Sequence, residues 1–420
     1  MAKSRIAISV TEAVDLVMAH VKHFEAESVL LPHSYGRILA EPVIARHDVP
    51  PFHRALYDGF AIRSQDSAEA DENRKILFRV VDHIGAGDIA GRALSHGEAV
   101  RIMTGAAMPP YADAVVMLEQ AEILEAGHSF AVRKAFNAME NVSPQGEDVK
   151  AEELVIESGR FIHPGTVALL ATFGYTDVKA AKKPVVGVIC TGSELLEVYE
   201  PLSPGKIRNS NGPMVSAQLA RIGIHSRIYK QTKDDLGICL DLIQTALSES
   251  DCIITTGGVS VGDYDYLPAI YERLGAKVLF NKVAMRPGSV TTVAVLGEQF
   301  LFGLSGNPSA CYIGFEVFVR PALLKMMGCH RPFLPYTQAV LTEDFVNPNM
   351  FTRFIRAIYQ FDGTLATITP AGFNQSNAVS SIARGNAMMI LPGGTDKHAK
   401  GTYVGVLLLG IEEGAKEWRI

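Results

Sequence analysis

The sequence has 420 residues, of which 48% are hydrophobic and 20% charged, and its net charge is −6. At roughly 150 residues per domain this length predicts about two to four domains, each large enough for its own core. The composition excludes disordered and fibrous classes, and the mildly acidic charge argues against a broad nucleic-acid surface.

The first 17 residues, MAKSRIAISVTEAVDLV, lack the uninterrupted apolar core of a signal peptide. No apolar run reaches membrane-spanning length. The five cysteines form no CxxC pair, and two of them lie in apolar strand-like runs, which is typical of buried, reduced thiols. We therefore expect a cytoplasmic protein with no membrane segment.

The first part of the chain predicts a mixed domain interrupted by a small β insertion. A helix is predicted over Thr11 to Phe24, and the proline-bearing HDVPPF linker follows. Residues 46–139 contain short β-like segments broken by glycine, proline and aspartate, which predicts a small β domain. The flanking residues 1–45 and 140–180 are expected to pair into one discontinuous mixed α/β domain.

Residues 181–328 alternate apolar strand-like runs with amphipathic helices, which predicts a mostly parallel sheet covered on both faces. The expected helices begin near Gly212-Pro213, Asp234-Asp235, Leu267 and Asn307-Pro308. Residues 329–420 show alternating segments such as TRFIRAIYQ and YVGVLLL, which predict a β-barrel-like C-terminal domain. The predicted fold is therefore multidomain α/β plus β.

Three loops follow strands of the predicted parallel sheet: residues 191–194, 255–265 and 305–308. Ligands of such sheets bind outside the carboxyl ends of the strands. We therefore expect the three loops to border one crevice.

The second of these loops, TTGGVSVGDYD, combines an anion cradle with carboxylates. Backbone N–H groups of Gly257, Gly258 and Ser260 can converge on an anion. The carboxylates of Asp263 and Asp265, and those of Glu194 and Asp234 on neighbouring loops, would repel a phosphate. Bound Mg²⁺ would remove this conflict, because it is held by one or two carboxylates and substrate phosphates. The alternative is that these acids cap helices or shape turns.

A second candidate is the cation pair Lys282 and Arg286, which is followed by Pro287-Gly288. Two cations four residues apart before a Pro-Gly turn suit a compact oxyanion, although a solvated surface is an equally simple interpretation. Walker A, HExxH and GxSxG motifs are absent from the sequence. In the insertion, the Tyr57–Phe60 and Arg101–Gly105 segments are typical of structural β-turns on pattern alone.

The motifs in combination are more specific than any one of them. PPFHRALYDGFAIR, RIMTGAAMPPYADAVVMLE, GEDV, TGSEL, TTGGVSVGDYDY, AMRPG and GLSGNP occur in this order. The sequence thereby resembles the molybdopterin molybdenumtransferases, the bacterial MoeA family related to the gephyrin E domain, over essentially its whole length.

The resemblance implies a cytoplasmic homodimer of four-domain subunits, with each cleft shared between the α/β domain of one subunit and the insertion domain of the other. The implied substrates are adenylyl-molybdopterin and molybdate, and the reaction releases AMP with Mg²⁺ required. A molybdopterin adenylyltransferase and apo-molybdoenzymes are the implied protein partners.

The resemblance also implies residue roles in the α/β cleft. Glu194, Asp234 and Asp265 match the family's functional acids, with Glu194 and Asp265 as metal ligands. Lys282 and Arg286 match its basic pair.

Further matches lie elsewhere in the chain. Asp58 and Thr104 match positions that the insertion domain presents, and Asp148 matches the acid of GEDV. Pro308 matches the Gly-Asn-Pro turn, and Arg356 and Ser376 occupy positions that the family places near the same cleft.

The chain departs from the family pattern around the basic pair. Many members carry lysine at the positions of Arg286 and Ser289, proline at Ser305 and aspartate at Asn209. Arginine binds oxyanions through a planar fork, and serine at position 289 removes a cation. The expected molybdate pocket is therefore the part of the site that departs most from the family pattern.

Three alternative functions remain at this point. The α/β core alone also fits a molybdopterin adenylyltransferase or the related domain of a nicotinamide-nucleotide amidase fusion. Those relatives usually carry Gly-Pro-Thr where this chain has Val261-Gly262-Asp263. A gephyrin-like scaffold that binds receptor tails is the alternative from a different class.

Overall fold

The computed structural model describes residues 6–232, 236–258 and 266–410. Two compact units are present: the insertion unit, Pro42–Glu157 with Ala168–Thr176, and the main unit, which comprises the other described residues. None of the helices in the described ranges has the length and apolar composition that crossing a bilayer requires. The helices are Val10–His20, Pro164–Thr172, Asn211–Arg221, Leu236–Glu249, Leu267–Arg273, Pro308–Gly314, Phe315–Val319 (a π-helix), Arg320–Met326 and Ser380–Arg384.

The insertion unit contains a six-stranded sheet, which confirms the predicted small β domain. In spatial order its strands are Ala114–Met117, Gly59–Ile62, Glu98–Ile102, Ile76–Ile84, Ser129–Val132 and Glu122–Leu124. All neighbouring pairs are antiparallel except Ile76–Ile84 with Glu98–Ile102. The stacked rings of Phe60, Phe78 and Phe130 fill its core, with centroid separations of 4.0 and 5.3 Å.

Each unit also contains a short antiparallel strand pair. In the main unit Ala26–Leu30 pairs antiparallel with Asp177–Ala181, and in the insertion unit Val43–Ile44 pairs with Leu154–Ile156. The first helix ends at His20 and not at Phe24, because Val21 is extended and the Phe24 N–H donates to the Met326 carbonyl. The four predicted domain boundaries stay a prediction.

The main unit contains a second six-stranded sheet, called the central sheet here. In spatial order its strands are Ser226–Thr232, Val186–Thr191, Cys252–Thr256, Gln299–Leu304, Thr292–Leu296 and Lys277–Phe280. The first four are parallel, and the last two add as an antiparallel edge. This arrangement confirms the predicted mostly parallel α/β domain.

Helices cover both faces of the central sheet. Asn211–Arg221 and the helix from Pro308 to Met326 pack on one face, while Leu236–Glu249 and Leu267–Arg273 pack on the other. The π-helical segment Phe315–Val319 lies just before Pro321. Because proline donates no backbone hydrogen bond, the regular α-helical pattern of backbone hydrogen bonds is interrupted here.

The C-terminal part forms a closed barrel. Its strands, in order around the ring, are Thr352–Phe361, Ala366–Pro370, Tyr336–Leu341, Tyr403–Leu408 and Ala387–Leu391, which returns to Thr352–Phe361. Met285–Arg286 adds to Thr352–Arg353 as a parallel strand, so a segment that lies between two strands of the central sheet in sequence becomes part of the barrel's sheet. The barrel confirms the predicted C-terminal β-domain.

Candidate functional site

The carboxyl ends of the central parallel strands bring the three predicted loops together. Cys190 pairs with Thr256, and Thr256 pairs with Leu304, so the three strands end at the same level. The Gly257 N–H donates to the Leu304 carbonyl at 3.1 Å. The loops that begin at residues 191, 257 and 305 therefore form one continuous edge, as the alternation of strands and helices predicts.

Gly257 is required at the centre of this edge. Its φ is +93°, and a Cβ there would lie 2.7 Å from the Thr191 carbonyl oxygen. Gly258 also has a positive φ, of +66°, and the Gly257 Cα lies 3.5 Å from where a Cβ on Gly306 would stand. At position 257 only glycine lets the backbone approach Thr191 this closely, which leaves backbone rather than side chain at the edge.

Glu194 supplies an exposed carboxylate beside this edge. Both carboxylate oxygens lie 2.8 Å from the position that a Cβ on Gly192 would occupy, so the side chain folds back over the Gly192 backbone. The Glu194 carbonyl accepts a hydrogen bond from the Ile207 N–H at 2.9 Å, which fixes the loop. The carboxylate is thus held close to the strand ends and open to solvent.

Asn211 links the start of its helix to the third loop, a contact that the sequence does not predict. Its Nδ2 donates to the Gly306 carbonyl at 2.8 Å, while its buried Oδ1 has no hydrogen-bond partner among the described residues. Asn209 accepts from the Gly212 N–H at 3.0 Å. The two asparagines connect the helix Asn211–Arg221 to the edge; they are separated in sequence from Gly306, so no local pattern signals this contact.

Cys190 lies in the middle of this arrangement but is not suited to nucleophilic chemistry. Burial raises the pKa of the Cys190 thiol, against the opposing effects of Thr256 and Asn209. Cys239, Cys252, Cys311 and Cys329 are also buried and free, as the sequence predicts. A buried thiol with a raised pKa stays protonated near neutral pH.

The basic segment from Lys282 to Arg286 packs against the barrel. The Thr352 N–H donates to the Ala284 carbonyl at 3.2 Å, and Arg286 lies beside Arg353 in the parallel pair. The Arg286 guanidinium is exposed and stands 5.8 Å from the centroid of the Phe351 ring. Arg286 is thus placed against the barrel, whereas the Lys282 carbonyl at the other end of the segment accepts a hydrogen bond from the Ile8 N–H at 3.2 Å.

Arg356 is fully buried in the barrel strand that accepts this segment. Its Nε and one terminal nitrogen donate to Ser381 Oγ at 3.2 and 3.1 Å, and that terminal nitrogen also donates to the Gln375 carbonyl at 3.1 Å. The other terminal nitrogen, Nη1, has no partner among the described residues. Burial, and then the charge of Arg353, lower the pKa of Arg356 to about 10.

The Gly-Asn-Pro turn reaches the loop before Ser381. Pro308 opens the helix after the turn, with Asn307 as its N-cap. The Ser309 N–H donates to the Ser376 carbonyl at 3.0 Å, and Ser309 Oγ donates to the Ala378 carbonyl at 2.6 Å. Ser376 contributes its backbone here, whereas Ser381, which the sequence did not single out, contributes the hydroxyl that holds Arg356.

Asp58 and Thr104 meet in the insertion unit. Thr104 donates its backbone N–H and its hydroxyl to Asp58 Oδ1 at 2.8 and 2.7 Å, and these two bonds lower the pKa of the Asp58 carboxyl. The adjacent Gly59 is required, because a Cβ there would lie 2.0 Å from the Val116 carbonyl oxygen. Asp148 is exposed and is held elsewhere in this unit, where its N–H donates to the Val49 carbonyl.

Asp234, Ser260, Asp263 and Asp265 lie outside the described residues. Within the described ranges, no group of three or more His, Cys, Asp or Glu side chains is arranged to hold a metal ion. Of the two predicted metal ligands, Glu194 is therefore the one whose position is known.

Family models match three successive parts of the chain. The MoeA N-terminal region (domain I and II) matches residues 8–174, a probable molybdopterin binding domain matches residues 187–325, and the MoeA C-terminal region (domain IV) matches residues 338–409. Together these ranges include nearly all of the three six-stranded sheets and the three loops.

Similar curated proteins extend over almost the same length. A molybdopterin molybdenumtransferase of Staphylococcus epidermidis is 50% identical over 406 residues, which is 97% of this chain and 96% of that protein. One of Staphylococcus aureus is 49% identical over 415 residues, 99% of each chain. The crystal structure of a molybdopterin biosynthesis moeA protein from Pyrococcus horikoshii OT3 is similar with a TM-score of 0.82 and 28% identity, and the match covers 96% of this chain and 100% of that one. The chain therefore belongs to the MoeA family of molybdopterin molybdenumtransferases.

Proposed function

We propose that this enzyme acts in molybdenum cofactor biosynthesis, where it inserts molybdenum from molybdate into adenylyl-molybdopterin and releases AMP. The full-length similarity to molybdopterin molybdenumtransferases supports this reaction over that of an adenylyltransferase or a scaffold. The observation that carries the proposal is the shared edge at which Gly257, Glu194 and the Gly-Asn-Pro turn meet. This edge is a backbone surface kept free of a side chain at Gly257, with the Glu194 carboxylate beside it, which suits a phosphoanhydride and its counter-ion.

The adenylylated substrate is proposed to lie along this edge. Gly257 and Gly258 leave space for its phosphates, since any side chain at 257 would collide with Thr191. Ser260 and Pro308 are proposed to border the same anion. Asn211 would keep the third loop in place through its bond to Gly306 and offer its free Oδ1 to a substrate donor.

Molybdate is proposed to bind where the basic segment meets the barrel. Arg356 offers Nη1 in a buried position, and a buried guanidinium with a lowered pKa gains most from a nearby anion. Lys282 and Arg286 would add charge at the rim, and Ser381 and the Ser376 loop would fix the geometry. Many family members carry a lysine at position 289, where this chain has serine. Arg356 is proposed to supply a positive charge to the pocket in its place.

Mg²⁺ is proposed as the cofactor, and Glu194 and Asp265 are proposed to hold it. Asp234 is proposed as a further functional acid of the same cleft. The accessible carboxylate of Glu194 beside a backbone N–H edge fits the oxygen ligands that Mg²⁺ prefers. When bound, the ion would neutralise phosphate charge. The protein's own contribution is positioning, so the attacking oxygen is that of water or molybdate and no covalent protein nucleophile is needed.

The active enzyme is proposed to be a cytoplasmic homodimer with shared sites. The Asp58 carboxylate is pre-organised by two hydrogen bonds from Thr104 to one of its oxygens, which suits a residue that must act on a substrate held by another subunit. Asp148 is proposed to assist from the same unit. A molybdopterin adenylyltransferase and apo-molybdoenzymes would be the partners that deliver substrate and receive product.

The direct test is AMP release. Purified protein is given adenylyl-molybdopterin and Mg²⁺, and AMP is measured by chromatography before and after molybdate is added. We expect rapid release only when molybdate and Mg²⁺ are both present, and Asp265→Asn should impair release more than pterin binding. Release that does not depend on molybdate would reject the proposed reaction.

A further inference from the structure

The main unit contains a cavity that lies along the helix Asn211–Arg221, separate from the loops of the candidate site. It has a volume of about 570 Å³ and is bordered by the helix Asn211–Arg221 and by residues 382–386 and 409–410 of the barrel region. Met214, Gln218 and Arg221 project into its wall from one face of that helix. The volume lies within the range of small-molecule sites, about 300–1,000 Å³.

The wall of this cavity is positively charged. Arg221 and Arg384 line it, and no acidic residue is among the described residues that do so. Arg221 forms an ion pair of 2.5 Å with the buried Glu316 behind the wall. Arg384 makes no hydrogen bond or ion pair with any other residue in the described ranges, so one of the two charges has no counter-charge there.

A buried polar network fixes Arg221 in this position. Gln218 Nε2 donates to Glu316 Oε1 at 2.6 Å and to the Tyr312 carbonyl at 3.2 Å, and Arg221 Nη1 donates to the Leu409 carbonyl at 3.3 Å. Gln218 Oε1 is buried and accepts no hydrogen bond from the described residues. Gln218 lines the cavity, so a bound molecule with an N–H or O–H can supply this missing donor once the Gln218 amide turns towards it, directly or through a water.

Apolar side chains contribute to the same wall. Met214, Ile382 and Leu409 supply hydrocarbon surface, and Tyr312 and Asn386 line the cavity as well. A ligand that matches all three features has a carboxylate for Arg384 and Arg221, a donor next to it for Gln218, and an apolar body.

We propose that this cavity binds a small apolar carboxylate that carries an N–H or O–H beside its carboxyl group, as N-acylated apolar amino acids and 2-hydroxy acids do. This proposal does not depend on the proposed reaction, because the cavity shares no residue with the loops at the central sheet edge.

The test uses full-length protein, with N-acetyl-L-leucine as the probe and calorimetry and ligand-observed NMR as readouts. We expect saturable binding with a Kd on the order of 0.1–1 mM, a strength appropriate to a ligand of this size. The uncharged N-acetyl-L-leucinamide should bind at least about tenfold more weakly, because it lacks the charge that Arg384 recognises.

Arg384→Gln should weaken N-acetyl-L-leucine binding at least about fivefold, and Arg384→Glu should abolish it. Arg384 is exposed, so neither change threatens folding. Arg331→Gln, at an exposed arginine outside the cavity, is the matched control and should leave the Kd unchanged.

Three results would overturn the proposal. They are the absence of saturable binding, equal affinity for the amide, and binding that Arg384→Glu does not change. The double variant Glu412→Gln and Glu413→Gln addresses the chain's own carboxylates, which follow Gly410 closely in sequence. Binding that appears only in this variant would mean that the cavity serves the chain's own acids and not an external ligand.

Discussion

Arg356 is a buried cation whose contacts leave one donor group unused. Three of its hydrogen bonds go to Ser381 and to the Gln375 carbonyl, yet Nη1 has no partner among the described residues. An unpaired buried donor is costly, which favours a ligand over a purely structural role. Family resemblance singles out Arg356, but it cannot reveal Ser381, which is 25 residues away and is brought near by barrel closure.

Arg356→Lys should raise the KM for molybdate at least about tenfold, because lysine keeps the charge but cannot bond Ser381 and an oxyanion together. Binding of the adenylylated pterin should change much less. Steady-state AMP release at varied molybdate measures the first quantity, and fluorescence titration measures the second. Arg331→Lys is the matched control, and thermal unfolding checks that the variant is folded. An unchanged KM would place molybdate elsewhere.

A second prediction concerns pH and the insertion unit. Hydrogen bonds from Arg92 and the Ser95 N–H are the main reasons that the pKa of Glu98 is lowered from 4.5 to about 2. Because the folded-state pKa is lowered, this stabilisation is complete above about pH 4.5 and is lost as the pH falls towards 2. The difference in Tm between wild type and Glu98→Gln, measured from pH 7 to 2.5, should therefore shrink below pH 4.5. A constant difference would contradict the assignment.

At the scale of elements, the central sheet was the most predictable part and the barrel the least. Continuous apolar runs such as Cys252–Thr256 predict buried parallel strands, and the structure places them so. The antiparallel edge formed by Thr292–Leu296 was not predicted, because a short apolar run carries no information on strand direction. Closure of the barrel depends on pairing of Thr352–Phe361 with Ala387–Leu391, which no local pattern specifies.

Gly257→Ala should destabilise the protein by at least about 2 kcal/mol and reduce AMP release strongly, since the methyl group meets the Thr191 carbonyl at a positive φ. Gly297→Ala is the control, because its φ is also positive, at +61°, while nothing lies within 4 Å of its added Cβ. That variant should lose only about 1 kcal/mol and keep full activity. Chemical denaturation measures the stability of each variant, and the AMP assay measures its activity. Equal losses in the two variants would show that the strain of a positive φ is sufficient and that the contact with Thr191 has no effect.

At the scale of the whole molecule, composition and family resemblance predicted a multidomain protein and its family correctly. The contacts that complete the candidate site were not predictable in the same way. Asn211 and Gly306 are 95 residues apart in sequence, and their hydrogen bond depends on how two helices pack on one face of the sheet. The proposed homodimer lies at this scale too and is tested separately.

If Asp58 acts across a homodimer, mixed subunits should restore activity. Asp58→Ala and Asp265→Asn proteins, each inactive alone, are mixed under conditions of proven subunit exchange, and AMP release is measured. We expect up to about half of the sites in a heterodimer to be intact, since one cleft then carries neither substitution. Native mass spectrometry quantifies the heterodimer. No recovered activity despite exchange would mean that each cleft uses residues of a single subunit.

The parallel pairing of Met285–Arg286 with Thr352–Arg353 has a consequence for modularity. The barrel is continuous in sequence after the central sheet, yet one of its edge strands is encoded upstream, before the helix that begins at Pro308. A shortened chain that stops before the barrel would leave this strand unpaired, and a barrel expressed alone would lack it. In gene fusions or domain exchanges, the central sheet and the barrel should therefore be inherited together as one recombination unit.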